Sequence, residues 1–183
     1  MCSTNDKKVE IIKNIVLTGF MMAGKTQIGR ALAELAGLGF ADTDEMVEES
    51  EQRTINDIFE KDGEEYFRKA ETEAAKRAAD LKNTVISTGG GIVLDPKNIE
   101  ILRSTGVVVN LRITPGVISA RIEKEKQSRP LIKNLDCGEV VQKLNGRERF
   151  YRNCDFSITV SEEKTPEEHA KEILEILKKN GEI

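Results

Sequence analysis

The segment Gly19-Phe20-Met21-Met22-Ala23-Gly24-Lys25-Thr26 constrains this chain more than any other stretch. It reads G-x-x-x-x-G-K-T. The apolar run Ile15-Val16-Leu17 precedes it and predicts a buried strand, and Lys25–Ala36 follows with helical spacing. A glycine-rich turn in that position leaves backbone N–H groups unpaired and aimed inward. Together with the helix N-terminus they form a cradle for an anion, as a rule a nucleotide phosphate chain. The cradle would run from Met22 through Ala23, Gly24, Lys25 and Thr26 to Gln27. Lys25 would reach the β and γ phosphates, and the Thr26 hydroxyl would ligate Mg²⁺. A plain glycine turn capping a helix is the alternative, and the strand and helix on either side weigh against it.

Strand and helix patterns keep alternating after this loop. Gly39–Ala41 is a short strand ending in Asp42-Thr43-Asp44, and Thr54 opens a capping box and a short helix through Phe59. Gly63 breaks that helix, and Glu64 to about Leu81 forms a longer one with small residues on one side. Thr84–Ser87 is a strand leading into Gly89-Gly90-Gly91. Helices follow at Pro96–Arg103, Pro115–Lys126, Glu139–Arg149 and Pro166–Lys179, and strands at Gly106–Leu111 and Phe156–Val160. Residues Gln127–Gly138 are basic, contain a proline and show little periodicity. Strands separated by helices predict an α/β fold of three layers, with a parallel sheet between two layers of helices. Ligands in such sheets bind beyond the carboxyl ends of the strands. Gly19, Asp42/Asp44 and Gly89–Gly91 all follow strands, so three loops can converge on one crevice.

Bulk properties narrow the partners. The 183 residues carry 28 Lys+Arg against 32 Asp+Glu, a net charge of −4, with no basic stripe of the kind that binds nucleic acid. No run approaches the ~18 apolar residues of a membrane span. Residues 1–13 form a polar extension without a signal-peptide core, which predicts a cytoplasmic protein. No apolar surface stripe suggests self-association, so a monomer is expected. Cys2, Cys137 and Cys154 are odd in number and scattered, which predicts reduced thiols. His169, the one histidine, falls in a polar helix and is expected at the surface, so proton transfer would fall to a carboxylate.

The loops taken together carry a resemblance. In order they are GFMMAGKT, Asp42-Thr43-Asp44, Phe67-Arg68, Gly89-Gly90-Gly91, Arg129-Pro130-Leu131 and Arg147-x-x-x-Tyr151. This set resembles the shikimate kinase family, whose P-loop kinase fold is related to that of the nucleoside monophosphate kinases. The likeness spans residues 14–179, which it implies are one kinase domain with a lid at 127–138. It implies transfer of the γ-phosphoryl group of ATP to the 3-hydroxyl of shikimate, giving shikimate 3-phosphate and ADP on the route to chorismate and aromatic amino acids. Mg²⁺ would accompany the nucleotide.

The resemblance also implies roles. Asp44 would bind ring hydroxyls, orient the acceptor and accept its proton. Arg68 and Arg147 would bind the acceptor carboxylate, since a guanidinium offers a planar fork of donors. Arg149 and Arg152 stand close enough to leave the choice of Arg147 open. Gly90 would contact the acceptor, because glycines permit close backbone approach. Asp42 would approach the magnesium through water, and Glu71 would hold Arg68 from one turn away. Arg129 would fold over the nucleotide as the lid closes. Arg121 would stack on adenine and Lys164 would touch the base or ribose, or each is a solvated cation. Phe59 and Phe67 are pocket walls or plain core. Met21-Met22-Ala23 replaces the glycine-richer interior of many such loops, and Gln27 stands where a second hydroxyl residue often follows. A kinase for gluconate or a nucleoside monophosphate, and a noncatalytic nucleotide-binding module, are the competing functions. Asp42-Thr43-Asp44 with Phe67-Arg68 and the triple glycine argues against the first, and Asp44, Arg68 and Arg147 together argue against the second.

Overall fold

The computed structural model describes residues 13–126 and 136–183. Residues 1–12, with Cys2, and residues 127–135, with Arg129, Pro130 and Leu131, lie outside the described residues.

Five strands form one parallel sheet in the order β2-β3-β1-β4-β5. They are β1 (Asn14–Thr18), β2 (Gly39–Asp42), β3 (Thr84–Ser87), β4 (Gly106–Arg112) and β5 (Phe156–Thr159). The register pairs Leu17 with Ser87 on one side and with Val109 on the other. Every residue of β1 and β3 is buried, as is β4 through Leu111. Strands covered on both faces read as unbroken apolar runs rather than alternations, which is why these were legible. Helices cover both faces. They are α1 (Lys25–Ala36), α2 (Thr43–Glu51), α3 (Ile55–Lys61), α4 (Gly63–Ala79), α5 (Pro96–Arg103), α6 (Pro115–Lys126), α7 (Cys137–Tyr151) and α8 (Pro166–Lys179). No described helix is long and apolar enough to cross a membrane.

The chain steps from β1 outward to β2, returns to β3 beside β1, then continues to β4 on the other flank. The strand order therefore reverses at β1, and the crevice of an open α/β sheet opens at such a reversal. The main core runs through Ile15, Val16, Leu17, Val85, Ile86 and Val107. A smaller cluster of Val47, Ile58, Phe67 and Ala74 ties α2, α3 and α4 together as one unit beside the sheet.

One helix, several boundaries and one burial differ from expectation. The Asp42-Thr43-Asp44 segment is not a loop, because α2 begins at Thr43 with Asp42 as its N-cap, Oδ1 accepting from the Asp44 N–H at 3.0 Å. Helix α4 ends at Ala79 rather than Leu81. Helix α7 runs past the expected ends, started by Asp136, which accepts from the Glu139 N–H at 2.9 Å. His169 is not at the surface but 2% exposed. It shares the inward stripe of α8 with Ile173 and Leu177, four and eight residues on, and that spacing outweighs the polar composition around it. Its Nε2 accepts from the Ser161 N–H at 3.3 Å.

Candidate active site

The phosphate loop joins β1 to α1. Gly19 has φ 152° and Gly24 has φ 82°, both open to glycine at little cost. A Cβ at Gly19 would also stand 2.7 Å from the Leu111 carbonyl oxygen. Met22 adopts φ 64° without that freedom. Its carbonyl is held by the Arg121 guanidinium, which also pairs with Glu162. Arg121 therefore braces the loop from outside, and Lys164 pairs with Glu172 at 2.8 Å. One internal bond, Ala23 N–H to the Phe20 carbonyl at 3.1 Å, closes the turn. Among the described residues, the N–H groups of Met22, Gly24, Lys25 and Thr26 have no acceptor. They are the open donors that a phosphate chain satisfies.

Lys25 folds back over this turn, donating to the carbonyls of Gly19 at 2.8 Å and Phe20 at 3.1 Å. Burial pushes its ammonium down to about 8, opposed by the charges of Asp44 and Asp42. The Thr26 hydroxyl donates to Asp42 Oδ2 at 3.0 Å. A hydroxyl and a carboxylate oxygen side by side are hard donors suited to Mg²⁺. Among the described residues no group of three or more His, Cys, Asp or Glu forms a metal cage.

Two residues past Asp42, Asp44 faces the same space. Burial, then the nearby charges of Asp42 and Glu71, raise its carboxyl to about 6, with Lys25 opposing. The glycines after β3 make room for it. A Cβ on Gly89 would collide with Asp44 Oδ1 and stand 3.1 Å from Glu71 Oε1. A Cβ on Gly91 would collide with the Arg68 guanidinium, and one on Gly90 would lie 3.3 Å from the Met21 nitrogen. Each glycine thus faces a different wall, and the third wall is the phosphate loop itself.

Arg68 is half-buried on α4. It bonds Glu71 at 2.7 Å and Glu64 at 2.9 Å, and sits 5.2 Å over the Phe67 ring. Glu71 is 1% exposed, and its Oε1 has no hydrogen-bond partner. Burial raises the Glu71 carboxyl above the usual range, while Arg68 and Arg147 pull it back. Of the three arginines near the end of α7, only Arg147 turns toward these acids. Arg149 is exposed over Phe150, and Arg152 is exposed beside Glu148 at 3.5 Å. Phe67 is core, in the α2–α4 cluster, while the half-exposed Phe59 stacks on it with ring centroids 4.7 Å apart.

Lys25, Thr26, Asp44, Arg68, Gly90 and Arg147 are therefore brought round one crevice. Residues not given a role from sequence complete it. Thr43 is fully buried and accepts the Gly89 N–H at 3.0 Å. The Tyr151 hydroxyl donates to the Gly90 carbonyl at 2.6 Å. The spacing of Arg147 and Tyr151, one helical turn, already set both on one face of α7. A separate cavity of about 470 Å³ lies between the end of β4 and the second half of α7. It shares Phe20 and Tyr151 with the crevice but none of the charged site residues.

A family model described as shikimate kinase matches residues 21–178. The chain belongs to the shikimate kinase family. Among curated shikimate kinases, that of Thermoanaerobacter pseudethanolicus is 47% identical over 163 residues, covering 89% of this chain and 95% of its own. That of Caldanaerobacter subterraneus subsp. tengcongensis is 48% identical over 164 residues, with the same coverage of each chain. The solved shikimate kinase from Acinetobacter baumannii in complex with shikimate superimposes with a TM-score of 0.83 at 35% identity, over 93% of this chain and 96% of that one. The shikimate kinase architecture accounts for the three-layer fold and for a phosphate loop at its central strand.

Proposed function

We propose that this chain transfers the γ-phosphoryl group of ATP to the 3-hydroxyl of shikimate, yielding shikimate 3-phosphate and ADP for chorismate and aromatic amino acid synthesis. The observation that carries this is the meeting of two half-sites at Gly90. The open N–H groups of the phosphate loop are on one side, and Asp44, Arg68 and Arg147 are on the other.

Phosphoryl transfer is mostly positioning and charge stabilisation. The loop amides and Lys25 hold the nucleotide phosphates, Lys25 exchanging its two carbonyl partners for phosphate oxygens. Mg²⁺, held through Thr26 and through water on Asp42, would neutralise charge on the phosphate oxygens. Arg68 and Arg147 receive the shikimate carboxylate. The exposed Glu64 gives up its half of the Arg68 fork, while buried Glu71 keeps its own. Asp44 accepts the proton of the attacking hydroxyl. Its carboxyl near 6 is ionised at neutral pH, yet more basic than an ordinary aspartate. Arg129 adds positive charge when the lid at 127–138 closes, and closure keeps water from the phosphoryl group. The kinase works as a monomer of one domain, residues 14–179, in the cytoplasm.

A coupled assay of ADP release with shikimate, gluconate and AMP as acceptors tests this. ADP release should depend on shikimate. Release that is indifferent to shikimate, or faster with either alternative, refutes it.

A further inference from the structure

The Tyr151 side chain joins the two elements that would carry acceptor-binding groups. It leaves α7 one turn after Arg147, is 5% exposed, and its hydroxyl donates to the Gly90 carbonyl at 2.6 Å. The ring packs edge-on against Phe20 of the phosphate loop, centroids 6.4 Å apart. Arg147 lies against the same hydroxyl, and its charge and hydrogen bonding act on it.

The carbonyl of Gly90 belongs to the peptide that joins Gly90 to Gly91. In a trans peptide the C=O and N–H point in opposite directions, and no described peptide is cis. Fixing the Gly90 carbonyl against Tyr151 therefore fixes the Gly91 N–H away from it. The preceding peptide is fixed in the same way, since the Ile92 N–H donates to the Gly89 carbonyl at 3.2 Å. That sets the direction of the Gly90 N–H. Among the described residues neither the Gly90 nor the Gly91 N–H has an acceptor. A peptide flanked by two glycines can rotate between orientations that any side chain would forbid. The sequence that allows the close approach of Asp44 and Arg68 thus also leaves this peptide free to flip.

We propose that Tyr151 is a positioning residue for the acceptor, its hydroxyl locking the Gly90–Gly91 peptide and steadying Arg147 so that amide and guanidinium face the bound ring together. The inference rests on the acceptor site proposed above. The hydroxyl of Tyr151 bonds Gly90, and its ring meets the phosphate loop at Phe20, so losing the hydroxyl alone should leave the donor half unaffected. Tyr151 does not exchange protons, because burial pushes its hydroxyl up to about 12.

The test is Tyr151→Phe, which deletes one oxygen and keeps the ring against Phe20. The expected result is a shikimate KM raised about tenfold, the size of effect of losing one buried hydrogen bond. The ATP KM and the slow shikimate-independent hydrolysis of ATP should stay within about twofold, and the shikimate defect should be equal at pH 7 and pH 9. Three results would overturn the inference: both KM values unchanged, both raised equally, or a variant that fails to fold, which would make the hydroxyl a prop of the fold. Failure of the wild-type chain to phosphorylate shikimate would instead remove the acceptor site on which the inference stands, a result read from the wild type alone.

Discussion

Asp44→Asn should make the protein more stable and much less active. Burial and the charges of Asp42 and Glu71 hold the Asp44 carboxyl at about 6 against an ordinary 3.8. That difference corresponds to about 3 kcal/mol set against the ionised form. The folded chain holds this proton more tightly than the unfolded chain. Stability therefore falls as pH rises from about 4 to about 6, and the whole penalty stands above that window. Asparagine carries no charge to penalise. It also withdraws an attraction that supports the Lys25 ammonium, itself depressed to about 8 by burial, so part of the gain is returned. The net expectation is a gain of about 1–2 kcal/mol at pH 7.5, or a melting temperature higher by about 3–6 °C for a chain of this size. At pH 4.5 the wild-type Asp44 is already protonated in the folded state but largely ionised in the unfolded chain, so the gain should shrink to about a third, and it should vanish only below about pH 3. Turnover with shikimate should fall at least about a hundredfold, the usual range for losing a positioned base. Calorimetric melts at the two pH values, beside a coupled ADP-release assay, measure all three quantities. A variant that melts below wild type at pH 7.5, or gains equally at both pH values, would refute the electrostatic argument. Near wild-type turnover would refute the role in catalysis.

The wild-type kcat/KM for shikimate should be bell-shaped in pH. It should rise through about 6 as Asp44 ionises and fall above about 8 as Lys25 loses its proton; a flat profile from pH 5.5 to 8.5 would count against both assignments. Lys25→Ala should retain the fold and lose nearly all turnover, since its contacts are to loop carbonyls that water can replace; circular dichroism and the same coupled assay check it. Arg68→Ala should cost about 1.5–3 kcal/mol in kcat/KM for shikimate, the worth of a hydrogen bond to a charged group. Its shikimate KM should rise far more than its ATP KM. Equal rises would mean that Arg68 serves the fold through Glu71 rather than the acceptor.

Several features of the site were legible in the chain because they depend on local spacing. Gly19, Gly24 and Lys25-Thr26 define a strand–turn–helix whose donors face one way, and nothing distant is needed to see it. The helix start at Thr54 follows from residues within one turn, its hydroxyl accepting the Asp57 N–H three residues on. His169 is buried although the composition around it is polar. Its four-residue spacing to Ile173 and Leu177, also local, was the better signal. The start of α2 at Thr43 was hidden because an aspartate pair after a strand suits a loop and a helix cap equally.

The sequence by itself determined the elements other than α2, their order, and a cradle for phosphate, since those follow from periods of two and 3.6 residues and from glycine chemistry. It also marked Gly89-Gly90-Gly91 as a place of close approach. Only the tertiary structure decided what approaches: Asp44 at the first glycine, the phosphate loop at the second, Arg68 at the third. It also separated Arg147 from Arg149 and Arg152, which local pattern leaves equivalent, because only Arg147 sits where α7 faces Glu71 of α4, beside its own helix neighbour Tyr151. Charges of the same kind on one helix are distinguished by what lies across from them. That is a property of contacts between segments far apart in the chain, and no short stretch of residues contains it.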